Sequence, residues 1–282
     1  MKAIFFCMVI MVLLLGGCDS ENVAENISEN VVDVSENVAK PAKLKIVATV
    51  TPHAEILEYI QQDLKEKGVE IEIIDAPDYN MPNRALADKE ADANFFQHVP
   101  YLTQQINDFG YEIESLVGIH IEPMGFYSKK ISSLSELRDG AVISVPNDPS
   151  NEARALVILH NNGIIQLDDP KNPQATKINI ASNPKNIKIE EIDAAMLSRT
   201  LDDVDGSVIN SNYAMEATPR LVPTKDAIVI ESAQDNPYVN LVAIRKGDAE
   251  KPEFKILKEV MTSDKVRQFL LDKYDGAVVP AF

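Results

Sequence analysis

The sequence predicts an α/β protein whose body consists of two units of similar size. Short apolar runs that are typical of strands alternate with segments that have apolar residues on one helical face, which is the pattern of an α/β domain with a mostly parallel sheet. This alternation starts at Leu44–Val50 and starts again at Val142–Val145. Polar side chains follow the ends of several strands, and ligands bind at such positions in open α/β sheets. We therefore expect a bilobed body with one ligand cleft between the lobes.

The first eighteen residues are typical of a bacterial lipoprotein signal. Lys2 precedes the apolar run Ala3–Leu15, which is too short to span a bilayer comfortably and matches the apolar region of a secretory signal. The run ends in Leu15-Gly16-Gly17-Cys18, which is similar to a lipobox, where the cysteine is acylated and becomes the mature N-terminus. We expect a signal peptide at 1–17 and a lipid on Cys18 that anchors the body to the cell membrane, facing outside the cytoplasm. An ordinary cleaved signal with an incidental cysteine is the alternative.

Residues 18–43 differ in composition from the rest of the chain and are expected to form a lipidated acidic tether. The unit Ser-Glu-Asn-Val recurs between residues 20 and 38. Apolar residues at helical spacing would allow an amphipathic helix, but serine, asparagine and valine are weak helix formers. We therefore expect a solvated and mostly disordered spacer.

Composition and motifs exclude several classes of function. The formal net charge of −17 argues against nucleic acid as a partner, because phosphates would be repelled. Both cysteines, Cys7 and Cys18, precede the body, so the body has neither a disulfide nor a thiol nucleophile. No nucleotide-binding loop, serine-hydrolase motif or metalloprotease motif is present, and the four histidines lack metal-ligand spacing. We expect a protein that is not an enzyme and that uses no cofactor and no metal.

Prolines and glycines mark the predicted helix ends of the first unit. We predict, in chain order, a strand at Leu44–Val50, a helix after Thr51-Pro52-His53 that ends at Gly68, a strand at Val69–Ile74, a helix opened by Pro82, a strand at Ala93–Phe96 and a helix from Pro100 to Gly110. Short strands follow at Ile113–Leu116, Ile119–Ile121 and Gly125–Ser128, and then a short helix with a capping box at Ser133–Glu136.

The second unit opens with a buried strand, a polar loop and a helix. Asp148 is a plausible N-cap, and Pro149 then occupies the first helical position, where its missing N–H costs nothing. The helix should stop near Gly163. The N–H groups at its start, its dipole and the guanidinium of Arg154 together suit a carboxylate ligand. From spacing alone, a surface ion pair between Arg154 and a nearby acidic residue is an equal alternative.

The remaining elements complete the second unit and return to the first. We predict, in chain order, a strand at Ile187–Ile192, a helix at Ala194–Leu201, a strand at Ser207–Asn210, strands at Ala227–Ile230 and Tyr238–Ile244, and one long terminal helix at Pro252–Leu271.

Several segments of the body resemble one known family. They are Asn94–Leu102, Pro123–Lys130, Pro146–Arg154, Asn183–Asn186, Val208–Ala214 and Pro237–Leu241. In this order they closely resemble the NlpA/MetQ family of methionine-binding lipoproteins, from about Leu44 to the C-terminus. The resemblance implies a periplasmic-binding-protein-like (Venus flytrap, type II) fold. It also implies a monomeric substrate-binding protein that delivers methionine to the membrane permease of an ABC importer, driven by a cytoplasmic ATPase.

The resemblance also implies roles for particular residues. Arg154 would take the ligand carboxylate, while Asn210 with Asn151 would fix the amino-acid backbone. Asn212 is also expected to contact the ligand through its amide. Asn210 and Asn212 could instead be simple helix caps. The side-chain pocket would be formed by Phe95, Phe96, His98 and Tyr127, because a thioether gains from aromatic contacts.

Some features leave the identity of the ligand undecided. Many family members have tyrosine where this chain has Phe95, and the family includes proteins that take D-methionine or methionine-containing dipeptides. Strand alternation sends Phe95 and Phe96 to opposite sides, and core packing is an alternative for Phe96. A surface lipoprotein that binds another amino acid or a short peptide, or that acts mainly in adhesion, is the alternative function.

The resemblance implies a discontinuous path through the two lobes. Lobe 1 would comprise 44–123 plus 234–282, and lobe 2 would comprise 124–233. Hinges would lie near Pro123–Tyr127 and Asp235–Tyr238.

Overall fold

The computed structural model describes residues 41–282 of the chain. The predicted signal peptide, Cys18 and nearly all of the predicted tether lie outside the described residues. The body is a two-lobed α/β structure built on two main sheets. Within the described residues, the helices are either too short or too polar to cross a membrane.

Thirteen strands and eight α-helices make up the described part of the chain. The strands are β1 (Ala42–Ala48), β2 (Val69–Asp75), β3 (Ala93–His98), β4 (Ile113–Ile121), β5 (Gly125–Tyr127), β6 (Val142–Pro146), β7 (Gln166–Leu167), β8 (Ile180–Ser182), β9 (Lys188–Ile192), β10 (Gly206–Ile209), β11 (Val229–Ile230), β12 (Val239–Arg245) and β13 (Val279–Pro280). The helices are α1 (Glu55–Glu66), α2 (Met81–Ala87), α3 (Val99–Phe109), α4 (Pro149–Asn161), α5 (Ser211–Glu216), α6 (Pro223–Asp226), α7 (Pro252–Met261) and α8 (Asp264–Tyr274).

Each lobe is organised around one sheet. The sheet of lobe 1 has six strands in the order β13-β4-β12-β3-β1-β2, and the sheet of lobe 2 has five in the order β11-β5-β10-β6-β9. The chain therefore passes from lobe 1 to lobe 2 between β4 and β5, and it returns between β11 and β12. The assignment of the lobe boundaries to 123/124 and 233/234 stays a prediction.

Both main sheets are mixed, whereas the sequence predicted mostly parallel strands. In lobe 1, β1 runs parallel to β2 and β3, but β12 is antiparallel to β3 and β4. In lobe 2, β6 is parallel to β9 and β10, but β5 is antiparallel to β10 and β11. Parallel neighbours require a crossover connection. The antiparallel strands flank the two passages between lobes, where no helical crossover within one lobe dictates their direction.

The core of lobe 1 confirms the amphipathic face predicted for α1. Ile56, Leu57, Ile60 and Leu64 are fully buried in it. The same core contains residues of β1 and β3 together with the apolar faces of α7 and α8. Lobe 2 has its own core, in which the apolar residues of α4 pack against those of β6 and β10. Each lobe therefore has enough buried apolar surface to hold its own sheet.

The predicted long terminal helix is wrong, because the structure has two helices there. α7 ends at Met261 and α8 starts at Asp264. Between them the Ser263 hydroxyl accepts the backbone N–H of Val266 and caps α8. Threonine and serine are weak in helix interiors because their hydroxyls compete for backbone groups. The break lets both helices contribute to one core.

Other predicted elements also differ in detail. β4 is one continuous strand where two short strands were predicted. The predicted helices near residues 134 and 194 are short 3₁₀ helices, at Leu134–Glu136 and Ala194–Thr200. Short segments of this kind have too few turns for periodicity to distinguish helix types.

The start of α4 confirms the sequence prediction. Pro149 is its first residue, and the Asp148 carboxylate accepts the backbone N–H of Asn151 at 3.0 Å. This cap fixes the direction in which the next residues of the helix project.

We expect S263A to lower the free energy of unfolding by about 1 kcal/mol, because α8 loses its capping hydroxyl. Urea unfolding followed by circular dichroism measures the change. S198A is a suitable control, since the structure gives the Ser198 hydroxyl no hydrogen bond within residues 41–282. Equal stability of S263A and the wild type would contradict the capping role.

A second prediction concerns Glu152 on α4. Burial, and then the negative charge of Glu191, raise the pKa of Glu152 from 4.5 to about 7. Because the pKa of Glu152 is higher in the folded than in the unfolded protein, protonated Glu152 favours the folded state. This contribution is complete below pH 4.5 and is lost as the pH rises through about 7. We expect E152Q to match the wild type near pH 4.5 and to be more stable by about 1–3 kcal/mol at pH 8.

Urea unfolding at the two pH values checks this difference. E190Q, at an exposed position on β9, is the control and should follow the wild type at both. A stability difference between E152Q and the wild type that is independent of pH would contradict the role of Glu152.

Candidate functional site

A small cavity of about 20 Å³ lies between the two lobes. This space holds about one water molecule, so an amino acid enters only when the lobes move apart or the lining side chains rearrange. Its walls come from the loop after β2, from the end of β3 and start of α3, from α4, and from the turn between β10 and α5. The lining residues are Tyr79, Phe96, Gln97, His98, Tyr101, Glu122, Asn151, Arg154, Asn210, Ser211, Asn212 and Asn240. Most of them follow strand ends, where the sequence placed the polar clusters.

The cavity includes six of the eight residues predicted for ligand binding. These are Phe96, His98, Asn151, Arg154, Asn210 and Asn212. Phe95 and Tyr127 are not among the lining residues, so the structure gives no support to their predicted contact with a ligand. Phe95 projects from the other face of β3 into the lobe 1 core, edge to face with His53. Tyr127 packs in a separate apolar cluster with Leu197 and Ile209.

Tyr79 and Tyr101 line the cavity but were not found from the sequence. Their rings and that of Phe96 have centroids 5.7–5.8 Å apart. We call these three side chains the aromatic wall. The Tyr101 hydroxyl donates to the backbone oxygen of Tyr79 at 3.0 Å, which fixes one ring against the other. The position of Tyr101, three residues after His98 at a helix start, was a usable signal. Tyr79 lies in a loop and gave none.

His98 joins the two lobes through its imidazole. Nδ1 accepts the backbone N–H of Tyr101 at 3.1 Å, so the His98 side chain also caps the start of α3. Nε2 then carries the proton and donates to Oδ1 of Asn151 in lobe 2, at 3.0 Å. Burial, and then the charge of Arg154, lower the pKa of His98 to about 3. The ring is therefore neutral at physiological pH and has a fixed tautomer.

A chain of amides connects α4 to the turn before α5. The Asn210 amide nitrogen donates to Oδ1 of Asn151 at 2.8 Å, and the Asn151 amide donates to the Asp148 carboxylate. Asn210 occupies the cap position of α5 but makes no side-chain capping bond. Within the described chain, Oδ1 of Asn210 and Nδ2 of Asn212 are buried and have no hydrogen-bond partner. One acceptor and one donor at the cavity are thus uncommitted.

The start of α4 does not offer its N–H groups to a ligand, contrary to the expectation from the sequence. The N–H of Asn151 donates to Asp148, and that of Ser150 donates to Oε1 of Gln104 at 3.3 Å. The capping carboxylate occupies the place that a ligand carboxylate would need. Any anion recognition by α4 therefore depends on Arg154.

Arg154 is buried, with 2% of its surface exposed, and its guanidinium is held on several sides. Nε and Nη2 donate to the carboxylate of Glu231 at 2.6–3.0 Å, and Nη2 also donates to the backbone oxygen of Glu122 at 2.8 Å. The guanidinium carbon lies 4.2 Å from the centre of the Tyr238 ring, a cation–π contact. Arg154 therefore has an acidic partner, as one alternative expected, but within the interlobe region rather than on the surface.

These contacts leave Nη1 of Arg154 for a ligand. No residue in the described part of the chain accepts a hydrogen bond from it. Burial lowers the pKa of Arg154, but the charge and hydrogen bonds of Glu231 outweigh this effect and raise it. The guanidinium stays charged and presents one N–H edge to the cavity.

Three buried side chains, of which Glu122 lines the cavity, have the composition of a metal site. Nitrogens of His53 and His120 and a carboxylate oxygen of Glu122 lie within 4.8 Å of one another. Two imidazoles and one carboxylate are ligands that suit zinc or iron. Burial lowers the pKa of His53 to about 4 and that of His120 to about 3, and it raises the pKa of Glu122.

Comparison with known proteins agrees with this architecture. The sequence profile described as NlpA lipoprotein matches residues 44–282. The chain is 39% identical to the methionine-binding lipoprotein MetQ of Bacillus subtilis, over 99% of each chain.

Solved structures give the same result. A nutrient-binding protein from Burkholderia cenocepacia, solved bound to methionine, is 44% identical, with a TM-score of 0.81 over 85% of this chain and all of the other. An ABC transporter periplasmic substrate-binding protein from Coxiella burnetii is also 44% identical, with a TM-score of 0.79 over 84% of this chain and all of the other. The profile match over the whole body, the long relative and the shared fold together show that this chain belongs to the NlpA lipoprotein family.

Proposed function

We propose that this chain is the substrate-binding lipoprotein of an ABC importer. It binds methionine, of L or D configuration, in the interlobe cavity and delivers it to a membrane permease driven by an ATPase. One observation carries the proposal: the aromatic wall and a buried arginine with an uncommitted nitrogen line the same interlobe cavity. The names of the Bacillus, Burkholderia and Coxiella proteins support the ligand and the transporter.

The aromatic wall suits the methionine side chain. A thioether is apolar and polarizable, and it gains from contacts with aromatic rings at about 5 Å. Tyr79, Phe96 and Tyr101 supply such rings at the cavity, and His98 contributes a neutral imidazole. The polar edge of the cavity suits the other end of the molecule, so the ligand has one orientation.

The carboxylate of the ligand is placed at Arg154. Nη1 is its free guanidinium N–H donor, and the unpaired amide nitrogen of Asn212 is a second donor at the same cavity. Charge-assisted hydrogen bonds of this kind are about twice as strong as neutral ones. The unpaired Oδ1 of Asn210 is an acceptor for the amino group, and Asn151 holds the Asn210 amide in place.

Hydrogen bonds across the cavity connect the lobes next to the proposed ligand. The Tyr79 hydroxyl donates to Oδ1 of Asn212 at 2.6 Å, and His98 donates to Asn151. A ligand that contacts residues of both lobes adds to this closure and stabilises the folded protein by mass action.

The N-terminal segment supports anchoring at the membrane. We propose that Cys18 is acylated, that the body faces outside the cytoplasm as a monomer, and that residues 19–40 span the distance to the membrane. The family name and the lipobox-like segment before Cys18 support this assignment.

We expect R154A to weaken methionine binding by about 100-fold or more, because the ligand loses its charged donor and Glu231 is left unpaired. Isothermal titration calorimetry on full-length protein in detergent, freed of carried-over ligand by unfolding and refolding, measures the affinity. R154K keeps the charge but not the two-sided donor geometry, so it should fold and still bind more weakly than the wild type.

R245A is the matched control, because Arg245 pairs with Asp92 and Asp248 away from the cavity. It should bind methionine as the wild type does. Equal affinity of R154K, R245A and the wild type would contradict the role of Arg154. A wild-type protein that binds no amino acid or short peptide would favour the adhesion alternative.

We expect C18S to move the protein from the membrane fraction to the soluble fraction, because the acylated side chain is lost. Fractionation of cells that express the full-length chain, with mass spectrometry of the mature N-terminus, checks this. C7S is the control, since Cys7 lies within the predicted signal peptide. A C18S protein that stays in the membrane fraction would contradict the anchor.

A further inference from the structure

A second and larger pocket lies next to the interlobe cavity. It has a volume of about 450 Å³, whereas the cavity has about 20 Å³. Its lining comes from the loop after β2, from the 3₁₀ helix at Ala194–Thr200 and from α5 with the loop that follows it. Pro77 and Met196 line this pocket and are exposed, so it opens to the protein surface. We call it the outer pocket.

The same two chain segments border the cavity and the outer pocket. In the loop after β2, Tyr79 lines the cavity and Pro77 lines the outer pocket. At the start of α5, Asn212 lines the cavity and Tyr213 lines the outer pocket. Among the described residues, none lines both spaces. The partition between them therefore includes one segment from each lobe.

Two contacts hold this partition together. The Tyr79 hydroxyl donates to Oδ1 of Asn212 at 2.6 Å. The Tyr79 and Tyr213 rings have centroids 4.9 Å apart and planes inclined by 37°. This separation is typical of aromatic rings in direct contact. Tyr213 therefore packs against one ring of the aromatic wall and borders the outer pocket at the same time.

The ring of Tyr213, rather than its hydroxyl, makes the contacts at this position. The residue is 5% exposed and packs in the apolar cluster with Leu197 and Ile209. Its hydroxyl is buried and has no hydrogen-bond partner within residues 41–282. The contribution of Tyr213 is therefore the bulk of an aromatic ring.

This bulk bears on the length of the ligand side chain. Admission of an amino acid to the small cavity requires a movement of the lobes or of the lining side chains, and Tyr79 and Tyr213 come from different lobes. Closure over a ligand brings the two rings back into contact. A side chain that extends past the aromatic wall would lie between the rings, and close packing leaves no room for it there.

We propose that Tyr213 limits the length of the ligand side chain, because its ring closes against Tyr79 and separates the cavity from the outer pocket. The inference rests on the proposed function and deepens it, since it names the substrate class: amino acids whose side chain is no longer than that of methionine. Without the ring at position 213, a longer side chain passes Tyr79 and reaches the outer pocket while the lobes close.

Calorimetry with two ligands of different length tests the proposal on the full-length protein in detergent. The ligands are methionine and S-butylhomocysteine, which share the amino group, the carboxylate and the thioether and differ only in the length of the S-alkyl group. We expect the wild type to prefer methionine by about 100-fold or more, because even one methylene changes binding in a fitted apolar pocket by roughly 10–200-fold. In Y213A this preference should fall by about tenfold or more, mainly through tighter binding of S-butylhomocysteine.

Three further variants separate selectivity from stability. Y213F keeps the ring and should keep the wild-type preference within about threefold. L197A is the matched control, because Leu197 is buried in the same cluster but lines neither the cavity nor the outer pocket. It should lower stability and keep the preference. Y213L retains part of the volume, so it should shift the preference in the same direction as Y213A, and it replaces Y213A if circular dichroism shows that variant to be unfolded.

A folded Y213A or Y213L protein that prefers methionine by the wild-type factor would overturn the proposal. So would a Y213F protein that loses the preference, since the hydroxyl would then be the determinant, or an L197A protein that loses it as Y213A does. If the wild type binds methionine and the variants at position 213 behave like it, only the length limit fails. If the wild type binds neither ligand, the proposed function fails and the length limit fails with it.

Discussion

The buried guanidinium of Arg154 is the constraint on which the interlobe site depends. Its partners come from both passages of the chain between the lobes: the backbone oxygen of Glu122 from the first, and the Glu231 carboxylate and Tyr238 ring from the second. Breaking a buried ion pair by removing one partner costs about 3–5 kcal/mol, because the remaining charge is left uncompensated. The orientation of Arg154 is therefore fixed at the place where the lobes join. A relative movement of the lobes must change these contacts, which connects the proposed ligand binding at Nη1 to the conformation of the whole body.

The site combines a charged group with an apolar aromatic surface. Arg154 provides a positive charge at the cavity, and the aromatic wall provides an apolar surface. This arrangement suits a zwitterion with a thioether side chain, since each part of such a ligand meets a group of complementary character. The buried amides of the cavity are joined through Asn151, whose oxygen accepts hydrogen bonds from both His98 and Asn210. One side chain thus sets the positions of residues from both lobes.

Those parts of the structure that follow from local signals could be predicted from the sequence. The cap at Asp148 and the proline after it determine where α4 begins, and the buried face of α1 follows from helical periodicity. The polar residues at strand ends converge because parallel strands end at the same edge of a sheet. The distant partner of Arg154, Glu231, left no such signal, because 77 residues separate the two. Likewise, Phe95 and Phe96 are distinguished only by which face of β3 points to the core, and the break before α8 depends on tertiary packing that periodicity does not show.

The most direct test of this account is a crystal structure of the protein with methionine bound. The account predicts that the ligand carboxylate lies within hydrogen-bond distance of Nη1 of Arg154, with the thioether against the aromatic wall and the ammonium facing Oδ1 of Asn210. A methionine bound outside the interlobe cavity, or one whose carboxylate points away from Arg154, would contradict it.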